Sequence, residues 1–232
     1  MITATTFLIV LAGAVLEATA SAGATSEPSA AESEIVLPAP DVRGRMPLEQ
    51  ALANRRSVRS FEPQPLTMSQ VSQLLWAAQG VTGSEGVRTA PSAGALYGLE
   101  ISLVLPQGVY RYEPAGHRLV RTDPRDVRRD LHDAALSQEP VLEAPGVLAI
   151  AIVPERIAAK YGPERGARYA LLEAGHAAQN VLLEAVALGL GAVPVGAFRD
   201  QGVSEVLKLE LGREPVYLIP VGTPAPGPSP HR

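Results

Sequence analysis

No cysteine occurs in the 232 residues of the chain. Disulfides, thiol catalysis and cysteine-ligated metals are therefore excluded, and the redox compartment stays open. Aromatic residues are scarce, 4% against 46% hydrophobic, so a core must rest on Ala, Val and Leu. Lysine is nearly missing: of 20 basic residues only Lys160 and Lys208 are lysines. Of 24 acidic residues, Glu17, Glu27, Glu32, Glu34 and Asp41 precede Arg43, and no basic residue does. The rest of the chain is therefore close to neutral, which argues against a nucleic-acid binder acting through bulk electrostatics.

A membrane-length hydrophobic run is also lacking. Residues 6–15 are apolar, but that run is too short to span a bilayer and Glu17 stops it. Ala18-Thr19-Ala20 and Ala20-Ser21-Ala22 follow as small-residue cleavage sites. Residues 1–22 read as a signal peptide for export to a periplasm or the medium, although the usual basic start is missing. A leader with no such role, on a cytoplasmic protein, is the alternative. There is no twin arginine and no cysteine for a lipid, so no stable membrane anchor is expected. Residues 23–44, rich in Ala, Ser, Glu and Pro, read as a disordered linker. A folded domain is expected over 45–224, and residues 225–232 form a Pro-rich tail.

Within that domain Pro47 opens a short helix with Leu48, Ala51 and Leu52 on one face. Thr67 and Gln70 form a capping box ahead of Val71, Leu74, Leu75 and Ala78, which predicts a helix ending at Gly80. Residues 80–98 are a Gly- and Ser-rich loop. Leu99, Ile101, Leu103 and Leu105 alternate as one face of a strand, and residues 109–112 and 118–121 flank a turn as a hairpin. A helix is expected over 124–137, a buried strand over 146–153 and a short helix over 155–160. Residues 164–190 read as one long helix, apolar on most of its surface. In a domain this small, part of its burial is expected to come from a second subunit. A strand or loop over 192–198, a helix over 201–207 and a strand over 216–221 complete the pattern. Without regular β-α-β alternation the class is α+β, with three layers at most.

Several chemical motifs fail. Gly189-Leu-Gly191 follows a helix and does not continue as a dinucleotide fingerprint, and no phosphate-binding P-loop or nucleophile elbow occurs. Glu173-Ala-Gly-His176 has half the spacing of a di-iron site with no second half, so His176 reads as a buried helix residue bonded to a neighbour. Arg55-Arg56-Ser57-Val58-Arg59 is different. Three guanidiniums and a hydroxyl within five residues repel one another unless solvated or given an anion. Arg with Ser is a common donor set for phosphate oxygens, and Phe61 and Pro63 follow directly, unlike a solvated tail. A surface charge run is the competing reading.

Here the chain resembles a known family. Arg55-Arg56-Ser57-Val58-Arg59 with Phe61 is similar to the opening motif of the nitroreductase-like flavin enzymes. Pro91-Ser92-Ala93-Gly94-Ala95-Leu96-Tyr97 resembles the loop of their SagB/ThcOx-type branch. Glu173-Ala-Gly-His176-Ala-Ala-Gln179-Asn180 with Gly189-Leu-Gly191 resembles that branch's central helix, and Pro220-Val-Gly222 the family's last strand. Gly98 departs from the branch, which often has proline there.

The resemblance implies a three-layer α+β fold. It has an antiparallel or mixed sheet flanked by helices and a long central helix at a dimer interface. It implies FMN held without a covalent bond between the subunits of a homodimer. Arg55, Arg56, Ser57 and Arg59 would contact its phosphate, ribityl chain and pyrimidine edge. Ser92, Ala93 and Gly94 would reach it from the other subunit. Pro194, Val195, Gly196 and Ala197 would line the ring, with a backbone N–H toward flavin N5. Arg232 is a candidate for the phosphate. Lys160 and Tyr161 fall where azoline-oxidising members carry a catalytic Lys-Tyr pair; Lys-Tyr-Gly-Pro also reads as a plain turn. The implied activity is ping-pong hydride transfer through FMN, from NAD(P)H or an organic donor to a nitro compound, quinone or oxygen. Azoline dehydrogenation of a peptide and a non-catalytic flavin-binding subunit are the alternatives. Export would make a nicotinamide donor scarce.

Overall fold

The computed structural model describes residues 33–226. The proposed signal peptide, residues 23–32 of the linker and Arg232 lie outside the described residues. The elements are β1 (Glu34–Val36), α1 (Leu48–Asn54), α2 (Met68–Gln79), β2 (Leu99–Leu105), β3 (Gly108–Glu113), β4 (Arg118–Asp123), α3 (Arg128–Ala134), α4 (Glu139–Glu143), β5 (Gly146–Ile152), α5 (Pro154–Tyr161), α6 (Pro163–Ala187), β6 (Gly191–Ala192), α7 (Asp200–Leu207) and β7 (Glu214–Gly222).

The strands form one sheet in the order β1-β4-β3-β2-β5-β7-β6, and every neighbouring pair is antiparallel. Alternation along each strand sends side chains to two cores. Leu99, Ile101 and Leu103 of β2 and Leu148, Ile150 and Ile152 of β5 pack with α2 and α6. Val104, Val147, Ala149 and Leu218 pack on the other face with α3, α4 and α7. The result is three layers of class α+β. β5 is buried along its whole length because it is central and covered on both faces.

Local signals explain several boundaries. The Thr67 hydroxyl accepts from the Gln70 N–H at 3.2 Å, and the Gln70 side chain accepts from the Thr67 N–H at 2.8 Å, so the capping box starts α2 as expected. α6 runs for 25 residues, and Val181, Leu182 and Ala185 bury its inner face.

Some expectations need correction. The stretch read as linker contributes β1, which pairs with β4, and Leu37 is buried behind it. Three residues are too few to show strand periodicity, and the pairing partner is far along the chain. The helix expected over 124–137 is shorter and followed by α4, which the sequence reading missed. On α1 only Ala51 is buried, while Leu48 and Leu52 face outward at 60% and 52% exposure. The chain beyond β7 stays attached: the Ala225 N–H donates to the Ser60 carbonyl at 3.0 Å. Among the described residues no helix is long and apolar enough to cross a membrane.

Candidate functional site

The arginine cluster leaves α1 at Asn54 and docks on the sheet edge. The Val58 N–H donates to the Ala192 carbonyl at 3.0 Å, and Ser57 bridges Ala192 in parallel. This docking explains Gly191: a Cβ there would stand 2.6 Å from the Val58 Cβ. On the other side Glu62 N–H donates to the Thr223 carbonyl at 2.9 Å, so the segment is clamped between β6 and the end of β7. The three guanidiniums then divide. Arg56 turns back and donates to the carbonyls of Ala53 and Arg55, at 2.9 and 2.7 Å, satisfying the end of α1. Arg56 is thus engaged within the helix end and is not shown as an anion contact. Among the described residues neither Arg55 nor Arg59 is joined to a carboxylate.

The segment 194–197 begins beside that edge. Val193 donates to the Pro220 carbonyl, and Val195 exchanges hydrogen bonds with Leu218 at 2.8 and 2.9 Å. The chain then leaves the sheet, and Gly196 and Ala197 are exposed. Among the described residues, only the Val216 carbonyl, at 4.0 Å, comes within that distance of the position a Cβ on Gly196 would take. The cluster and this segment therefore share one edge of the molecule through β6 and β7.

Ser92, Ala93 and Gly94 belong to a second group. They form a tight turn over Ala93–Ala95 in which Gly94 has φ 62°, and Ala95 and Tyr97 follow at φ 54° and 51°. Left-handed residues with a Cβ cost roughly 1–3 kcal/mol each and persist only where surroundings hold them. Gly94 packs against the end of α5: a Cβ on it would lie 2.9 Å from the Tyr161 hydroxyl and 3.1 Å from Lys160 Nζ. The turn and the Lys160-Tyr161 pair are thus brought together. Lys160 is exposed, its Nζ lies 5.4 Å from the Tyr161 ring centre, and that ring meets Tyr169 edge-on at 5.4 Å.

The Ser92 hydroxyl is already engaged. It donates to Glu173 Oε2 at 2.6 Å and accepts from the Tyr97 N–H at 2.9 Å. What it offers a ligand is mainly its backbone. Glu173 is buried at 1% exposure and also accepts from the Gly98 N–H at 3.1 Å and from Gln79 Nε2 at 3.2 Å. Burial pushes its carboxyl above the usual range, with Ser92, Gly98, Gln79 and the charge of Arg88 opposing. Burial in turn lowers the Arg88 guanidinium, against the attraction of Glu173. Reading Glu173 only against His176 missed this network. His176 itself is exposed and lines a hollow with Pro91, Ser92, Tyr169 and Leu172, contrary to the buried position expected. Proline at position 98 could not supply this N–H.

No hydrogen bond or ion pair joins the arginine cluster to the Ser92–Gly94 turn among the described residues. They are two separate groups on one chain, held by different elements.

The sequence and the fold both have relatives. The family model described as the nitroreductase family matches residues 52–223. A protein of Methanocaldococcus jannaschii assigned as a nitroreductase is 46% identical over 189 residues, covering 79% of this chain and 93% of that one. A crystal structure from Ralstonia eutropha, also assigned as a nitroreductase, is 32% identical with TM-score 0.75, covering 86% of this chain and 93% of that one. One from Anabaena variabilis is 28% identical with TM-score 0.72, covering 84% of this chain and 42% of that one. With its arginine-bearing edge, its three layers and a family match over most of its length, the chain belongs to the nitroreductase family of oxidoreductases.

Proposed function

We propose that this chain is an FMN-dependent oxidoreductase that acts as a homodimer and transfers hydride by a ping-pong sequence. The carrying observation is the pair of guanidiniums at Arg55 and Arg59, which meet no carboxylate among the described residues and are set beside Ser57 on the β6 edge. A phosphate with two charges fits such a donor set. The open side of Gly196 fits a flat ring laid against the same edge, while the Ala197 carbonyl is held by Gln138 Nε2 at 2.7 Å. A second copy is supported by the separation of the two groups. It is supported also by exposed leucines on helices α1 and α6: Leu48, Leu52, Leu171 and Leu172. Such a copy would bring its Ser92, Ala93 and Gly94 to the arginine edge.

When bound, FMN would supply reversible two-electron chemistry between a donor and an acceptor. The chain's residues do the rest. Arg55, Ser57 and Arg59 would bind the phosphate end, and Arg232, outside the described residues, is a further candidate for it. Pro194, Gly196 and Ala197 would line the ring, whereas Val195 is buried and spends its N–H and carbonyl on Leu218. Lys160 as the neutral amine, or Tyr161 as the phenolate, would take the proton that leaves an organic donor. Their position against Gly94 also favours a second reading, oxidation of azolines, in which that proton transfer is obligatory. The apolar leader at 6–15 favours export, with FMN acquired afterwards and a donor other than NAD(P)H.

The visible spectrum of the purified protein, with and without added FMN, tests the reading. Oxidised-flavin bands that stay with the protein on gel filtration are expected. Their absence after FMN is added overturns it. Bands without turnover on any donor would instead mark a flavin-binding subunit. Stopped-flow reduction by NADH, NADPH or a thiazoline peptide identifies the donor class, and a Lys160→Ala variant with full turnover removes the proton-transfer role.

A further inference from the structure

Five residues close a ring of hydrogen bonds around the turn at Gly94. Arg88 donates to the Gln79 side-chain carbonyl at 2.9 Å, and Gln79 Nε2 donates to Glu173 Oε1 at 3.2 Å. Ser92 donates to Glu173 Oε2, and the Tyr97 N–H donates to Ser92. The Arg88 backbone N–H donates to the Tyr97 hydroxyl at 3.0 Å, and the Arg88 guanidinium lies 4.2 Å over the Tyr97 ring. One oxygen, Glu173 Oε2, ties both ends of the strained segment, since it also holds the Gly98 N–H. Between those ends lie the left-handed residues Gly94, Ala95 and Tyr97, which have no reason to keep that shape alone.

We propose that Glu173 is the positioning residue that staples the Ser92–Gly98 loop in its left-handed form, and through it sets the cofactor face made by Ala93 and Gly94. The second half rests on the proposed function; the first does not. Every group around Glu173 is a donor. Gln79 must keep its carbonyl toward Arg88 and so presents its NH2 to Glu173. Ser92 is turned by the Tyr97 N–H that it accepts, and the Gly98 N–H has no alternative role. A glutamine at 173 has the same shape, but its NH2 would meet either the Gly98 N–H or the Gln79 NH2, and no rotation of the amides relieves both. An acceptor at both oxygens is required, and only a carboxylate supplies it.

The test uses the full chain, free of FMN and then titrated with it. In Glu173→Gln, hydrogen exchange at the Tyr97 and Gly98 amides should quicken at least about tenfold, while amides of α2 and β5 keep their protection. The FMN dissociation constant, read by flavin fluorescence, should rise at least about tenfold in the same variant. Ser92→Ala should move both readouts in the same direction by less, and the double variant should be no worse than Glu173→Gln alone, as for members of one network. Ser92→Ala also carries the test if Glu173→Gln does not fold. Unchanged exchange at Tyr97 and Gly98 in the folded variants overturns the staple. Faster exchange with FMN affinity unchanged within about twofold overturns its link to the cofactor face. If the wild-type chain binds no FMN, the proposed function and that link both fall, and the exchange rates still decide the staple.

Discussion

Arg55 is half-buried and Arg59 exposed on a clamped edge segment, and among the described residues neither meets a carboxylate. Arg88 is half-buried, stacked on Tyr97 and bound to Gln79, with the charge of Glu173 behind it. Arg125 goes further, with its guanidinium and backbone both donating to the buried carboxylate of Asp123. An arginine held by hydrogen bonds to its own chain is part of the structure, even where, as at Arg88 Nε, one buried donor has no partner among the described residues. One left with open donors on a rigid backbone is available to an external anion. The contrast also resolves the arginine cluster internally, because Arg56 belongs with the first kind.

The comparison breaks most visibly in binding. Replacing both Arg55 and Arg59 with alanine should weaken FMN by about a thousandfold, from two charged hydrogen-bonding groups worth ~2 kcal/mol each. Unfolding by urea should move by no more than ~0.5 kcal/mol, as expected for surface positions. A large loss of stability would show that these arginines are structural after all.

Arg88→Ala should behave in the opposite way. Loss of the Gln79 bond, the Tyr97 stacking and the charge behind Glu173 should cost ~2–3 kcal/mol of stability, measurable in the urea midpoint. A neutral result would remove Arg88 from the ring that holds the loop.

Asp123 gives the acid-side control. Hydrogen bonds from Arg125, then from its backbone N–H and Lys208, hold its carboxyl well below the usual carboxylate range. A depressed native value contributes stability that is complete above the unfolded value of about 4 and fades as pH falls through the native one. Asp123→Asn should therefore be less stable than wild type by ~2 kcal/mol at neutral pH, with the gap closing only well below pH 4. A gap that closes above pH 5 would contradict the assignment.

The smallest effect belongs to Arg56. Arg56→Ala removes two bonds to the exposed end of a short helix and should cost under ~0.5 kcal/mol, with FMN affinity within about threefold of wild type. A loss matching that of Arg55 would return it to the anion site.

Much of the fold was readable from short-range pattern. The capping box at Thr67 and Gln70, the alternation along β2 and the proline-free apolar run of α6 each carry their own cause in neighbouring residues. β1 was not readable, because three residues in a linker-like stretch become a strand only through Val120, Leu119 and Arg118. α4 was hidden by its length and by Pro140. At the site, the arginine cluster was legible as a density of charge. The staple at Glu173 was not, because its donors come from Gln79, Ser92 and Gly98, which meet only when α2, the loop and α6 pack.

The sequence by itself determined the class of the fold, the family and the three arginines from which an anion site could be made, since these depend on residue types at local spacing. Tertiary structure decided which of those arginines its own described residues engage, since that depends on what else comes near. It also decided that Ser92 gives its hydroxyl to Glu173, and that Gly98 stands where its N–H is needed. Hydrogen bonds between distant segments are satisfied or left open only once the chain has folded, and that difference separates the scaffold of this protein from its site.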